Sequence, residues 1–456
     1  MTTTTMPQAP AHTENPALFS SGRGAACVGA VALITLLAFE ALAVAAAMPA
    51  VAGALDGLSL YALAFGGPLA ASVPGMVLAG RWCDRHGALR ATVWGLGLFG
   101  VGLLVAGLAP HMAVLVVGRV LQGLGGGMLG VTLYVGMGQV VPPALHPRLF
   151  SLFATAWVVP GLVGPTLAAW LVDHLGWRWV FLAVLVVLPA AAALLLPAYA
   201  RLPAPAPKPT TESATESRRL GFAALGAAGA LLLHGAAGSH WVVLSTGLLM
   251  ALAAAWRLLP SGSLQAAPGL PSVIALRGLL AAAFATAEVF LPLALTRDLG
   301  WSLLHAGWVL TSGALSWSLG SWLQARLSEA AHRQRALQAG LLLVAASLAS
   351  VALMLTWAPA GWPAVAGLVA SWMLSGLGVG LAFPILSVQL LKVSAPEEQG
   401  RNASALQLAD ALTTTAALAA AGLLVLQPQG MTCVMVLAAS LAVVGAACAG
   451  RVFPRA

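Results

Sequence analysis

The chain has 456 residues, of which 60% are hydrophobic and only 7% charged, with a mean hydropathy of +0.93. A soluble domain keeps about a quarter of its residues charged, so too little polar side chain is present to cover a water-facing surface, and a soluble fold is excluded. The net charge of +8 comes from basic residues scattered over many short segments, not from the concentrated basic face that nucleic-acid binding needs.

A membrane-spanning helix takes about 20 mainly apolar residues. After a Thr- and Pro-rich tail at 1–24, such runs recur to the end of the chain, and fourteen candidate spans can be drawn. They lie at 25–49, 61–79, 91–109, 112–140, 149–172, 178–200, 221–237, 240–259, 272–296, 302–324, 336–357, 362–391, 403–426 and 430–450. Runs of this length read as helices, because barrel strands alternate over about ten residues. The expected fold is therefore an all-α polytopic membrane protein. With an even number of crossings and a cytoplasmic N-terminus, eighteen of the 21 Lys and Arg fall on the cytoplasmic side or just inside it, as the positive-inside rule requires. Both termini are then cytoplasmic. The pair at 221–259 is short and divided only by "HGAAGSH" near 234–240, which leaves twelve crossings as the alternative.

In chain order, span 1 carries an acid, Glu40, inside an apolar run. Span 2 ends in "GRWCDRHGALR" (80–90), which gathers Arg81, Asp84, Arg85 and Arg90 between Gly80 and Gly87. The glycines allow a tight turn and close helix approach, and Asp84 suits a helix N-terminus, where the macrodipole favours negative charge. Span 4 contains "VVGRVLQGLGGG" (116–127). Arg119 is costly in an apolar run unless it faces a cavity or partner, and Gln122, three residues on, shares its face. Span 5 contains "AWVVPGLVGPTLAAWL" (156–171). There Gly161 and Gly164 permit close packing, and Pro160 and Pro165 bend the helix.

These three motifs resemble signatures of the major facilitator superfamily. Gly80, Asp84, Arg85 and Gly87 match its loop 2–3 pattern, with Arg90 slightly later than usual. Arg119, Gln122 and Gly123 match its fourth-helix Arg-x-x-Gln-Gly. Pro160, Gly161, Gly164 and Pro165 are similar in character to the fifth-helix signature of the drug/proton antiporter branch, although Ala168 and Ala169 replace its final glycine pair. The resemblance implies two six-helix bundles, at 25–200 and 272–450. They would be joined by a cytoplasmic linker at 201–220 and an extra transmembrane hairpin at 221–259, making 14 helices in total. It also implies that the 80–90 loop acts as a conformational gate, and Asp84 is expected to latch onto the N-terminus of span 13 near "GRNAS" (400–404).

The second half repeats the plan faintly: "GSWLQAR" (320–326) closes its second span as "GRWCDR" closes that of the first. Three acids lie inside spans: Glu40, Glu288 and Asp410. An acid inside the membrane is a functional candidate by default. These three, with Arg119 and Gln122, are the expected proton-coupling or substrate-binding residues. Glu40 and Glu288 each sit nine residues before the outer end of a span, about 13 Å, so a Glu40–Arg119 pair is within reach. The fourteen-helix branch often carries an acid in its first and thirteenth helices, and Glu40 and Asp410 would supply them.

The expected activity is proton-coupled export of small amphipathic or cationic compounds by alternating access. Its partners would be a small-molecule substrate, protons and the lipid bilayer, with the proton gradient in place of any cofactor, no metal, no nucleic acid, and a monomeric state. The alternative within transport is a proton-coupled importer or exporter of one metabolite. A membrane-embedded enzyme or sensor is the alternative of another class, but no nucleophile–base or metal constellation and no nucleotide-binding glycine loop is present to support it.

Overall fold

The computed structural model describes residues 18–19, 23–142, 145–203, 210–235, 241–327, 329–357, 362–395 and 399–453. Among them there is no strand. The helices are α1 (Gly24–Ala54), α2 (Tyr61–Gly107), α3 (Met112–Val140), α4 (His146–Thr155), α5 (Val158–Leu175), α6 (Trp179–Ala200) and α7 (Thr210–Gly235). They continue as α8 (Trp241–Leu258), α9 (Leu270–Leu293), α10 (Leu303–Ala325), α11 (Ala330–Trp357), α12 (Trp362–Val393), α13 (Gln399–Leu424) and α14 (Gly430–Cys448). Ten helical stretches among the described residues are long and apolar enough to cross a membrane. Large apolar side chains cover the outside of the molecule, with Val186 71% and Trp357 77% exposed. That arrangement is stable only against lipid, since a water-soluble monomer does not carry apolar surface on this scale.

The segment 80–90 is not the loop its charges suggest. Helix α2 runs through it, and only Gly87 leaves helical geometry, at φ 83 and ψ 164. Arg and most of its neighbours there are adequate helix formers, so a single left-handed residue, cheap only for glycine, makes the whole reversal. The two arms of α2 then flank α3. On one side Gly123 and Gly127 meet Pro68 and Ser72 in the first arm, and on the other Gly118 and Gly125 meet Gly102 and Phe99 in the second. The order of these contacts runs with α3 in the first arm and against it in the second, so the arms are antiparallel. Gly80, by contrast, has nothing among the described residues within 4 Å of where a Cβ would stand, and it mediates no close approach among them.

The predicted span 149–172 is two helices, α4 and α5. A proline ring clashes with the carbonyl four residues back and cannot donate to it. Pro160 lies in the first turn of α5, and its missing bond falls on Ala156, at the break. The freed Ala156 carbonyl accepts from Thr35 Oγ1 of α1 at 3.3 Å. The predicted linker 201–220 is also shorter than expected, because α7 is helical from Thr210. The tail before Leu18 and residues 236–240 of "HGAAGSH" lie outside the described residues.

Helices α1, α2, α3, α5 and α6 pack mainly on one another, as do α9 to α14. The two sets meet along α2 against α13 and α5 against α10, with α1 touching α9. The hairpin of α7 and α8 is closed by near contact of the Gly229 and Gly247 backbones. Its α7 lies on the α2–α13 seam, where Ala223 packs with Val73 and Ala411.

Candidate functional site

Three helices bring the first site together. Glu40 of α1, Arg119 of α3 and Gln122 of α3 are 6%, 5% and 2% exposed. Arg119 Nη1 donates to Glu40 Oε1 in a close ion pair and also to Gln122 Oε1 at 2.7 Å. Its Nε donates to the Ala64 carbonyl of α2 at 3.0 Å. That carbonyl is free because Pro68, four residues on, has no N–H to give it. The arginine's fork is thus held at three points, buried inside the protein. Among the described residues, no hydrogen-bond partner meets the buried Gln122 Nε2. The pairing of Glu40 with Arg119 that the depths allowed is made, and Gln122 joins it. Glycine at 123 is required for this placement, because a Cβ there would run into the Pro68 backbone and push α3 away from α2.

The second site is one that the sequence only half reveals. Asp410 of α13 accepts from Arg277 Nε of α9 at 3.0 Å. Arg277 Nη1 donates to Ser387 Oγ of α12 at 2.8 Å, and its guanidinium lies 3.3 Å from the centre of the Phe383 ring. One carboxylate oxygen, Asp410 Oδ1, is buried and has no partner among the described residues. In sequence Arg277 counts as one more charge near the cytoplasmic end of its span. The signal available was its position, five residues inside the span predicted at 272–296, where a topology anchor is not needed.

Glu288 of α9 is half-buried and, among the described residues, no hydrogen bond or ion pair engages it. The equal depth of Glu40 and Glu288 therefore does not translate into equal surroundings: one is locked to an arginine, the other open. Next to Glu288, the Tyr61 hydroxyl at the start of α2 donates to the Val289 carbonyl at 2.9 Å, and Tyr61 packs on Phe290 with ring centres 5.5 Å apart.

The fifth-helix residues sit on the seam. Gly161 faces Ala314 of α10, the Pro165 carbonyl lies against Gly307 of α10, and the Thr166 and Thr311 hydroxyls are 3.4 Å apart. Gly164 instead packs on Phe39 and Leu42 of α1. Pro160, Gly161, Gly164 and Pro165 are all buried. In the 80–90 segment Arg85 and Arg90 are exposed and Asp84 is half-buried, with Trp82 edge-on to Trp94 at 5.9 Å. Of the expected latch partner, Asn402 is buried and donates to Ser394 Oγ at 2.9 Å, while the side chains of Arg401, Ala403 and Ser404 lie outside the described residues.

Residues 28–287 and 273–456 match the sequence profile of the Major Facilitator Superfamily. The chain belongs to the Major Facilitator Superfamily. It is a multi-pass membrane transporter of a small molecule and not an enzyme. It is 28% identical over 428 residues to a Mycobacterium tuberculosis protein named "Probable multidrug-efflux transporter", covering 90% of this chain and 88% of the relative. Over 152 residues it is 31% identical to a multidrug transporter protein of Bacillus subtilis, 33% of this chain and 28% of that one. Its fold is like that of a POT family transporter whose crystal structure was determined in meso, with a TM-score of 0.73, 14% identity, and 94% and 97% of the two chains covered. A second solved structure covers it similarly, a POT family transporter in complex with 5-aminolevulinic acid, at a TM-score of 0.72, 14% identity and 94% and 96% of the two chains.

Proposed function

We propose that this transporter exports small amphipathic or cationic compounds in exchange for protons, by alternating access. The observation that carries the reading is the Glu40–Arg119–Gln122 cluster, a carboxylate, its counter-ion and an amide with spare donors enclosed between helices of one half. A buried ion pair is near energetic balance as a whole but costly to break from one side. Protonating Glu40 therefore frees Arg119 to seek another acceptor, and a two-state helix arrangement can follow. In this reading the chain forms two six-helix units, at 25–200 and 272–450. The α7–α8 hairpin inserts as two further crossings, for fourteen in all, and both termini are cytoplasmic. The transporter works as a monomer, driven by the proton gradient alone. Glu288 and Asp410 serve cation binding, and Asp84 latches the cytoplasmic side between α2 and α13, whose packing against each other supports that role. The names of the relatives in Mycobacterium tuberculosis and Bacillus subtilis support drug efflux over uptake of one metabolite.

Uptake of a panel of fluorescent dyes into inverted vesicles tests this. The wild type should accumulate cationic dyes while a proton gradient stands and lose them when it collapses. Glu40→Gln should abolish gradient-driven accumulation while the protein remains in the membrane. Accumulation that ignores the gradient, or a fully active Glu40→Gln, overturns the coupling.

A further inference from the structure

Of the ten stretches among the described residues that are long and apolar enough to cross a membrane, the one in α9 is the most buried, at 78% against 33–50% for the other nine. From Leu280 to its end its half-buried positions are Ala281, Ala285 and Glu288, in line with the half-buried Arg277. Spacings of four, four and three keep these on one helix face. Arg277 and Glu288 therefore lie on the same side of α9, about 16 Å apart along the axis.

At the Arg277 end, three groups from two other helices surround the guanidinium: the Asp410 carboxylate, the Ser387 hydroxyl and the face of Phe383. Carboxylate, hydroxyl and aromatic face are the three groups that together recognise an organic cation. Beyond Phe383 the rings continue. Phe383 meets Trp317 at 5.6 Å, Trp317 meets Phe284 at 5.3 Å, and Phe284 stacks on Trp372 at 5.2 Å. This run of aromatic rings leads from the cage back to α9, one turn before Glu288. The cage also keeps an unused buried acceptor, Asp410 Oδ1.

We propose that Asp410, Ser387 and Phe383 form a binding site for organic monocations, filled by Arg277 when the transporter is empty. The proposal rests on the transport reading above and adds the substrate class and the means of regulation. An entering guanidinium or ammonium takes the carboxylate and the Phe383 face, and its apolar remainder lies along Trp317 and Phe284. Arg277, about 10 Å from the start of α9, turns toward that end and snorkels to water. One cation replaces another, so the carboxylate is never buried alone, the arrangement that would be most costly. Neutral amphiphiles cannot displace the arginine and gain nothing from the cage.

Equilibrium binding of radiolabelled tetraphenylphosphonium to the full chain in nanodiscs, without a gradient, tests this. Arg277→Gln removes the internal competitor and should bind the probe about tenfold more tightly. Millimolar methylguanidinium should then compete with the probe in Arg277→Gln and much less in the wild type. Phe383→Leu, which keeps apolar packing, should weaken the probe about tenfold in the otherwise wild-type chain. Unchanged or weaker binding by a monodisperse Arg277→Gln, or an unaffected Phe383→Leu, overturns the proposal; should Arg277→Gln fail to fold, the Phe383→Leu result decides. Because no gradient is present, loss of proton-driven efflux bears on the coupling reading and not on this site.

Discussion

At the scale of single residues, the two buried arginines are placed by what surrounds them more than by their own helices. Arg119 is held by an acid, an amide and a carbonyl that a proline has left without its usual donor. Truncating it should leave Glu40 charged and alone, a loss of about 3–5 kcal/mol. Removing both partners should cost much less. We therefore expect Arg119→Ala to lower the thermal midpoint in detergent further than the Glu40→Ala/Arg119→Ala double variant does. A double variant as unstable as the sum of the two single ones would show that the pair is not coupled. Phe383 and Ser387 belong to the same scale. Neither has any signature in the sequence, because an aromatic or a serine in an apolar run is ordinary until a charge is found against it.

At the scale of elements, proline and glycine do most of the shaping. Pro68 and Pro160 each free one carbonyl, and a side chain from another helix accepts the duty of satisfying it, Arg119 in one case and Thr35 in the other. A proline in a membrane helix is tolerated where such a partner, an ordered water or a local adjustment of the helix satisfies the freed carbonyl. Gly123 lets α3 lie against the first arm of α2, and the opposing atoms are backbone, which cannot step aside. Gly123→Val should therefore separate α2 from α3, destabilise the protein by at least the 1–3 kcal/mol typical of overpacking, and pull Arg119 off the Ala64 carbonyl. Loss of dye efflux together with a lowered thermal midpoint is expected; a Gly123→Val protein of normal stability would refute the close contact. Gly80→Ala, in open space, should change neither, although the motif gives the two glycines equal weight.

At the scale of the whole molecule, the proposed alternating access would act at the seams between the two sets of helices. The α5–α10 seam is close at Thr166 and Thr311. A Thr166→Cys/Thr311→Cys pair should cross-link with mild oxidant, stop transport, and recover on reduction. Full transport by the cross-linked protein would mean that this seam does not open. The α7–α8 hairpin stands outside the two sets of helices, yet its α7 touches both α2 and α13, so it is part of the other seam rather than lying apart from it.

The sequence by itself determined the membrane class, the superfamily and the three acids inside spans. Each of these is a local property: the length of an apolar run, the spacing of a short motif, a charge where none is affordable. It also placed Arg119 and Gln122 on one face, since helical periodicity is fixed at 3.6 residues per turn. Only the tertiary structure decided which charges meet. Glu40 and Glu288 look alike along the chain, yet one is paired and the other open, because pairing depends on how each helix is rotated against its neighbours. Arg277 looked like a topology charge and is instead the partner of Asp410, across 133 residues of chain. The charged stretch 80–90 looked like a loop and is helix except at Gly87. Charge reports where water is reachable, whereas the course of the backbone depends on one residue's φ and on the glycines that let α3 settle between the two arms.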